Sequence, residues 1–308
     1  MGRLSKLRIV DPVLTTLAIG YTNAEFIGQN LMPIVEVEKE GGQIPKFGKE
    51  AFRLYNTERG LRAASNRINP DDPDAVDVNL DEHDIEYPID YREEQESAFP
   101  VEQAAVNATT EALQLRREKK IADIAQSPAS YSDSNKKVLS AAEKFTAEGS
   151  DPIGVIEDGK EAIRTKIGRR PNTMVIGASA YKTLKHHPQL IDKIKYSMKG
   201  IVTADLMKEI FEVNNIVVGE AIYADDRDRF RDIWGANIVL AYVPLQRTGQ
   251  QRTPYEPSYG YTLRKKGNPV VDTRLESGGK LEIVRNTDIF RPYLLGSDAG
   301  YLITGVNG

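Results

Sequence analysis

The sequence FPVEQAAVNATTEALQLRREKKIADIAQ, from Phe99 to Gln126, predicts one long helix around which the rest of the chain is arranged. Pro100 suits a first helical turn, where its missing N–H is not needed, and the residues after it are mostly strong helix formers. Ser127-Pro128 ends the pattern. About 26 residues at 1.5 Å each make a rod of roughly 40 Å, which is longer than a compact domain usually requires.

The buried face of this helix is predicted to consist mainly of small side chains. Spacings of four and three place one set of residues on a single stripe: Val101, Ala105, Ala108, Ala112 and Leu115. Val106, Leu113 and Ile124 widen this stripe. Because alanine side chains allow close approach, we expect a broad, flat element such as a sheet to lie against it. An ordinary core helix is the alternative interpretation.

Composition limits the classes of protein to which this chain can belong. It has 308 residues, no cysteine and a formal charge of −4. The absence of cysteine excludes disulfides, thiolate catalysis and cysteine-ligated metal sites. The acidic balance argues against a chain that wraps nucleic acid by itself. The sequence has no run of about 18 apolar residues, so we expect no membrane-spanning segment.

Residues 38–98 are predicted to form a long, polar excursion from the core. The segments 43–55 and 75–89 look extended, and Val76, Val78 and Leu80 alternate with polar residues as in a half-buried strand. The polar tip between them cannot bury enough apolar surface to hold itself in place. Loops of this length are usually functional or disordered, so a flexible, solvated loop is the alternative to a docking arm.

Charge is divided along this excursion. The first half carries Arg53, Arg59, Arg62 and Arg67, whereas carboxylates that include Glu93 and Glu94 crowd the second half and its base. Opposite charges on a projecting arm suit docking onto a neighbouring copy of the same chain. We therefore predict that these six residues contribute to contacts between subunits.

Residues 152–243 alternate between helical and strand patterns and predict a compact α/β domain. The predicted elements are a helix from Pro152 to Gly168, a strand at 173–176, a helix at 178–187 ended by Pro188, a helix capped by Thr203, and strands at 216–218 and 238–243. A β-rich section follows, with a hairpin predicted across 270–284.

Chemistry-bearing motifs in the chain match enzyme patterns poorly. A strand, Gly-x-Ser and a helix around Ser179 resemble a nucleophile elbow, but the second glycine is missing. His186 and His187 also lie on the same helix instead of far along the chain. We interpret Ser179 as an early helix residue, with an α/β hydrolase using Ser179 as nucleophile as the enzyme alternative.

Acidic runs at 71–77, 81–84 and 225–228 lack the spacing of metal ligands and are interpreted as solvated turns or ion pairs. We predict no catalytic, cofactor-binding or metal-binding residues.

The order of these parts resembles tailed-bacteriophage major capsid proteins. The stretch PNTMVIGASAYKTLKHHPQLIDKIKYSMKGIVTADLMKEIFEVNNIVVGEAIYADD, residues 171–226, is similar to that family's strand, helix ending in His-Pro, Gly-Ile-Val-Thr turn, helix and Ile-Val-Val-Gly-x-Ala. The segments that begin at Asp232, Tyr259 and Asp298 also resemble the family. The resemblance covers nearly the whole chain.

The resemblance implies an α+β fold, the tailed-phage major capsid fold. It implies an N-terminal arm at 1–35, an extended loop at 36–98 that lies over an adjacent subunit, a peripheral domain at 99–151 and 246–308 with spine helix 99–126, and an axial domain at 152–245. The implied function is structural and not enzymatic. The protein would self-assemble into pentamers and hexamers of an icosahedral shell around the phage genome. It would be made in the bacterial host cytoplasm and found in the virion.

The resemblance also implies partners. These are other copies of the chain, portal, scaffolding and decoration proteins, and packaged double-stranded DNA held without sequence-specific binding; no membrane is implied. Some family members carry a cleaved N-terminal scaffolding segment, whereas this chain starts almost at the arm. We expect either a separate scaffolding protein or prior processing. A shell protein of a cellular nanocompartment, which shares the fold, is the alternative.

Overall fold

The computed structural model describes residues 9–10, 26–45, 54, 57–62, 64–67, 75–96, 100–147, 149–194, 202–246 and 252–307. Its α-helices are α1 (Gly28–Leu31), α2 (Tyr91–Glu96), α3 (Val101–Ala125), α4 (Pro152–Ile167), α5 (Ala178–Lys185), α6 (Pro188–Ile194) and α7 (Ala204–Phe211). Its strands are β1 (Ile9–Val10), β2 (Ile34–Val37), β3 (Gly41–Pro45), β4 (Ala75–Asn79), β5 (Asp81–Asp90), β6 (Lys136–Val138), β7 (Thr173–Gly177), β8 (Asn215–Gly219), β9 (Ile222–Ala224), β10 (Phe230–Asp232), β11 (Ile238–Ala241), β12 (Gly260–Lys265), β13 (Val270–Leu275), β14 (Leu281–Leu294) and β15 (Gly300–Thr304). The predicted N-terminal arm, 1–35, is described only at 9–10 and 26–35.

The larger sheet is organised around β14, a strand of 14 residues. One edge of β14 pairs antiparallel with β13 and then with β12, and its other edge pairs with all ten residues of β5. β2 lies parallel beside β12, and β1 lies antiparallel beside β13. The sheet therefore joins segments from the two ends of the chain to the strand that precedes α3.

The long helix α3 runs from Val101 to Ala125 and confirms the predicted element. Its N-terminal half packs on the six-stranded sheet, where Ala105 and Val106 share a core cluster with Val271 and Val284. Its C-terminal half packs elsewhere: Ile121, Ala122 and Ala125 are grouped with buried residues of the second sheet. One helix thus spans two hydrophobic cores, and this explains its length.

The predicted buried face of α3 is only partly right. Ala105, Val106 and Leu113 are buried, but Ala108 is exposed and Ala112 is half-buried. The helix instead buries several polar side chains: Thr109, Thr110, Arg117 and Glu118. Hydrophobic periodicity misplaced the stripe because the partners of these polar groups lie far away in the sequence, as when Asn286 Nδ2 donates to Thr110 Oγ1 at 2.9 Å.

The second sheet has five strands in the order β6-β15-β11-β7-β8. β11 is antiparallel to its neighbours, whereas the β7–β8 and β15–β6 pairs are parallel. Alternate residues face two different cores. Met174 and Ile176 point to a cluster shared with α4, α5 and α7, whereas Val175 points to the cluster that contains the end of α3. Both faces are covered, so every residue of β7 is buried.

Strand pairing redraws the predicted division of the chain. β6 and β15 were predicted in the peripheral part, yet both lie in the sheet of β7 and β11. β5 was assigned to the extended loop, yet it pairs along its length with β14. Long-range backbone pairing leaves no local pattern in the sequence, so the boundaries at 98, 151 and 246 do not follow the sheets.

Several predicted helix ends are confirmed by the structure. α4 stops at Gly168, whose φ is +65°, the left-handed conformation that glycine adopts readily. The side chain of Thr203 accepts a hydrogen bond from Leu206 N at 3.4 Å and caps α7. Pro188 is a correction: it begins α6, because α5 already ends at Lys185.

Asp151 caps α4 and provides a test of that cap. Its Oδ1 accepts from Gly154 N at 2.9 Å and from Gln189 Nε2 at 2.6 Å. The Gly154 hydrogen bond and then the Gln189 bond lower the pKa of Asp151. We expect Asp151→Ala to lose about 1 kcal/mol of unfolding free energy at neutral pH, measured by urea denaturation.

The loss should depend on pH in a defined direction. Because the pKa of Asp151 is lowered on folding, its contribution is present above the pKa of the unfolded chain and disappears as pH falls through the folded-state pKa. The wild type and Asp151→Ala should therefore converge in acid. Asp151→Asn, which keeps the cap and does not titrate, is the control. A wild-type advantage over Asp151→Ala that persists in acid would contradict this role.

Candidate inter-subunit surfaces

The first candidate surface is the segment that leaves the six-stranded sheet between β2 and β5. β3 and β4 pair antiparallel from Gly41–Asn79 to Pro45–Ala75, which confirms the hairpin-like excursion. The base of the hairpin is fixed, because the Tyr293 hydroxyl donates to Asn79 O and accepts from Asn79 N, both at 2.7 Å. The tip beyond it is anchored much less: the described residues of 57–67 are all exposed.

The predicted arginines lie at this tip. Arg59, Arg62 and Arg67 are exposed, and Arg62 has a φ of +66°. Asn66 Nδ2 donates to Glu58 O at 2.9 Å, a contact that joins the two sides of the tip. Arg53 lies outside the described residues. The tip therefore displays guanidinium groups to the surroundings of the subunit.

Two leucines at the same tip were missed by the charge-based prediction. Leu54 is 101% exposed and Leu61 is 93% exposed, so neither side chain is covered by its own chain. Exposed apolar surface can mark a site of interaction with another molecule, and two leucines on one projecting tip offer such surface. Leucines inside an otherwise polar tip were the signal available in the sequence.

The predicted carboxylates lie at the base of the excursion. Glu93 is exposed on α2, and the side chain of Glu94 lies outside what the structure describes. Within the described part of the chain, no ion pair joins Arg62 or Arg67 to Glu93. For these three described residues, the two predicted charge patches are not joined within one subunit.

The acidic run 81–84 lies on β5, where alternate side chains take different environments. Asp81 Oδ2 accepts from Lys120 Nζ at 3.0 Å, and the His83 ring lies 4.5 Å from the Phe290 ring. Burial raises the pKa of Asp81, but the Lys120 hydrogen bond, the Lys120 charge and Arg291 together lower it. Among the residues that the structure describes, no cluster of three histidine or acidic side chains could hold a metal ion.

Ser179 is placed in the first turn of α5, and its hydroxyl donates to Gly235 O at 3.3 Å. His187 lies 3.0 Å from the Ser150 hydroxyl through Nε2 and accepts from Gln189 N at 3.2 Å through Nδ1. The structure therefore pairs His187 with Ser150. Across the described ranges, hydrogen bonds do not join Ser179 to a histidine.

Glu118, which is 2% exposed, connects the described part of the arm to α3 and to the segment after β10. Its carboxylate accepts from Ile27 N at 3.0 Å, Gly28 N at 2.8 Å and Trp234 Nε1 at 2.7 Å. Burial raises the pKa of Glu118, although hydrogen bonds from Trp234 and the two amides oppose the shift. One buried carboxylate thus fixes three elements relative to one another.

Asp288 is the centre of a second buried charge cluster, at the middle of α3. Arg264 contacts both of its carboxylate oxygens, with Nε at 2.7 Å from Oδ1, and Arg117 Nη1 lies 3.9 Å from Oδ2. Burial, followed by the charge of Arg264, lowers the pKa of Arg117 to about 10. The Arg117 guanidinium also lies 5.9 Å from the Phe290 ring centroid. This cluster clamps α3 to β12 and β14.

Solved structures place this arrangement in a known class of protein. The fold matches a phage-related protein from Bordetella bronchiseptica RB50 with a TM-score of 0.81 and 35% identity, covering 97% of this chain and 98% of that one. The capsid of cyanophage P-SCSP1u matches with a TM-score of 0.57 and 12% identity, covering 92% of this chain and 90% of that one. The chain has the α+β fold of phage capsid proteins.

Sequence comparison then defines the family. The model of phage major capsid protein E matches residues 12–307, and the chain belongs to that family. The chain is 83% identical over 308 residues, the whole of both chains, to the major capsid protein of Burkholderia phage BcepMu. It is therefore a structural protein of the phage capsid, where it forms the shell. In the described ranges, every helix is too short or too polar to cross a membrane.

Proposed function

We propose that copies of this chain assemble into pentamers and hexamers of an icosahedral shell, and that the extended loop joins neighbouring subunits. The observation that carries the proposal is the loop itself. Its base is held on the six-stranded sheet by Tyr293, whereas its tip exposes Leu54 and Leu61 together with Arg59, Arg62 and Arg67. A fixed base with an uncovered apolar and cationic tip suits a partner outside the subunit.

The mechanism is geometric. Heterologous contacts that close into rings give pentamers and hexamers from one chain. Each contact can be smaller than a standard interface of roughly 1,600 Å², since many contacts made at once add avidity. A loop that reaches beyond the core adds contact area without deforming the two sheets. In this proposal the five-stranded sheet, with β6 and β15, forms the axial part and the six-stranded sheet forms the peripheral part.

The remaining partners are also proposals. Portal, scaffolding and decoration proteins would complete the particle, which would be built in the cytoplasm of the bacterial host. The formal charge of −4 supports a wall that encloses double-stranded DNA without adhering to it in a sequence-specific way. The role is structural, with no catalytic step assigned to Ser179.

A nanocompartment shell is the second candidate, because fold alone does not separate the two kinds of shell. The full-length 83% identity to a phage major capsid protein favours the virion. Neighbouring genes for packaging and portal proteins, as opposed to a cargo enzyme, would distinguish them.

Charge reversal at the loop tests the proposed function. We expect replacement of Arg53, Arg59, Arg62 and Arg67 by glutamate to leave folded, soluble subunits but to prevent closed shells. The side chains described are exposed, so the free energy of unfolding should change by no more than about 0.5 kcal/mol. Electron microscopy shows whether closed shells form, and urea denaturation measures the free energy of unfolding of the subunit.

The matched control replaces the same four residues by lysine, which keeps the charge and should keep assembly. Adding Glu93→Arg and Glu94→Arg to the reversed variant should restore shells if these carboxylates face the arginines of a neighbour. Normal particles from the reversed variant would refute the contribution of the loop arginines.

A further inference from the structure

The hairpin formed by β9 and β10 has two distinct faces. Its register pairs Ala224 with Phe230, Tyr223 with Arg231, and Ile222 with Asp232. Since side chains alternate across a strand, Tyr223 and Arg231 share one face and the other two pairs share the opposite face. The hairpin forms a sheet of only two strands. Contacts with the rest of the subunit therefore determine which of its faces is covered.

The inward face of this hairpin is held firmly by its own chain. Asp225 accepts from the backbone of Arg227 at 2.9 Å and of Arg229 at 3.0 Å, and its Oδ2 pairs with Arg231 Nε at 2.9 Å. The ammonium of Lys119 on α3 lies 5.1 Å from the Tyr223 ring. An isolated two-stranded hairpin is marginally stable, and these contacts supply its support.

The base of the hairpin is fixed as well. Ala221, Ile233 and Trp234 are buried in the core that contains the end of α3. Gln126 Nε2 donates to Ile233 O at 2.8 Å, and Trp234 donates to Glu118. The position of the hairpin on the subunit is therefore set before any partner binds, which lowers the entropic cost of a contact.

The outward face carries two large apolar side chains that the subunit leaves partly or largely uncovered, beside the exposed carboxylate of Asp232. Phe230 is 76% exposed and Ile222 is 48% exposed. Diagonal neighbours on one face of a two-stranded ladder are within reach of an aromatic side chain, so the two form one patch. The position of the hairpin is defined by contacts with α3.

We propose that the outward face of the β9–β10 hairpin, centred on Phe230 and Ile222, is a contact surface for a second copy of this chain within the shell. This inference rests on the proposed function and adds a surface to it. The small area of the apolar patch supports a second copy of the chain as the partner. Two such side chains offer on the order of 250 Å², whereas a stable complex buries about 800 Å² on each partner. A partner held here must be held by other contacts too, as neighbouring subunits of a shell are.

Photo-cross-linking tests the contact directly. A benzophenone side chain replaces Phe230 in the full chain, and particles are illuminated before denaturing electrophoresis. We expect a product at twice the 34.3 kDa of one chain from assembled particles but not from dissociated subunits, with the second peptide derived from this chain. The same probe at Tyr223, on the inward face, is the control and should give links only within one chain.

A pair of substitutions measures the effect on assembly. Phe230→Ser with Ile222→Ser should raise the protein concentration needed for half-maximal assembly by about tenfold, as loss of a central apolar anchor does. The urea midpoint of the subunit should fall only slightly, because Phe230 is 76% exposed and Ile222 is 48% exposed within the subunit. Asp226→Ser, at the exposed turn of the hairpin, is the control and should assemble normally.

The outcomes separate the two proposals. If wild-type chains form no particles with themselves, the proposed function fails. If wild-type particles form but the probe at Phe230 links only within its own chain, links to a different protein, or gives no product, the hairpin inference alone is overturned. Normal assembly of the double serine variant would overturn it as well.

Discussion

Replacing Glu118 by alanine is expected to lower the free energy of unfolding of the subunit by about 3–5 kcal/mol. The carboxylate is buried and is the acceptor for Ile27 N, Gly28 N and Trp234 Nε1. Without it, three donors lose this acceptor, and an unsatisfied buried donor costs about 1–3 kcal/mol. Urea denaturation with tryptophan fluorescence reports the change, because Trp234 is the one tryptophan of the chain.

Two variants on the same helix calibrate this prediction. Glu118→Gln keeps an acceptor oxygen and should lose less than Glu118→Ala. Asp123→Ala removes an exposed carboxylate paired with Lys119 four residues away, and such pairs contribute about 0.3–0.5 kcal/mol. Equal losses in Glu118→Ala and Asp123→Ala would show that the buried hydrogen bonds do not stabilise the fold.

Asp288→Ala is expected to have a comparable effect for a different reason. Asp288 is 2% exposed and neutralises Arg264, with Arg117 close by. Truncation leaves two largely buried guanidinium groups without their carboxylate, and breaking a buried ion pair on one side costs about 3–5 kcal/mol. The urea midpoint should fall, and α3 should lose its clamp on β12 and β14.

Asp81→Ala provides the comparison for Asp288→Ala. Asp81 also binds a cation of α3, Lys120, but both side chains are partly exposed, so a loss below about 1 kcal/mol is expected. A loss in Asp288→Ala no larger than that in Asp81→Ala would mean that solvent compensates the two arginines, and the buried cluster would then not hold the helix.

Elements with strong local signals were predicted correctly from the sequence. Helix formers between a proline and Ser127-Pro128 predicted α3, and the caps at Asp151 and Thr203 predicted the starts of α4 and α7. These signals act within a few residues, through hydrogen bonds to the first helical amides. The joint order of the elements also resembled the capsid family, which the family match confirms.

The candidate contact surfaces were predicted less completely. The loop and its arginines followed from composition and charge. Leu54 and Leu61 were missed because the prediction rested on charge alone, although leucines in a polar stretch are visible in the sequence. The acidic run after β9 was interpreted as a solvated turn or ion pairs, and Asp225 pairs with Arg229 and Arg231. The exposed outward face of the β9–β10 hairpin was not predicted, because it depends on the register with which β9 pairs with β10.

The sequence by itself determined the helices with their caps, the long excursion before α3, and membership of the capsid family. Only the tertiary structure decided which face of α3 is buried, which strands share a sheet, and which side chains the subunit leaves uncovered. The physical reason is distance along the chain. Glu118 meets Gly28 and Trp234, and β5 meets β14, through contacts between segments that no local pattern relates. The long helix predicted at Phe99–Gln126 therefore connects two sheets. The polar side chains that hold it in place come from distant segments and could not be predicted from the sequence of the helix.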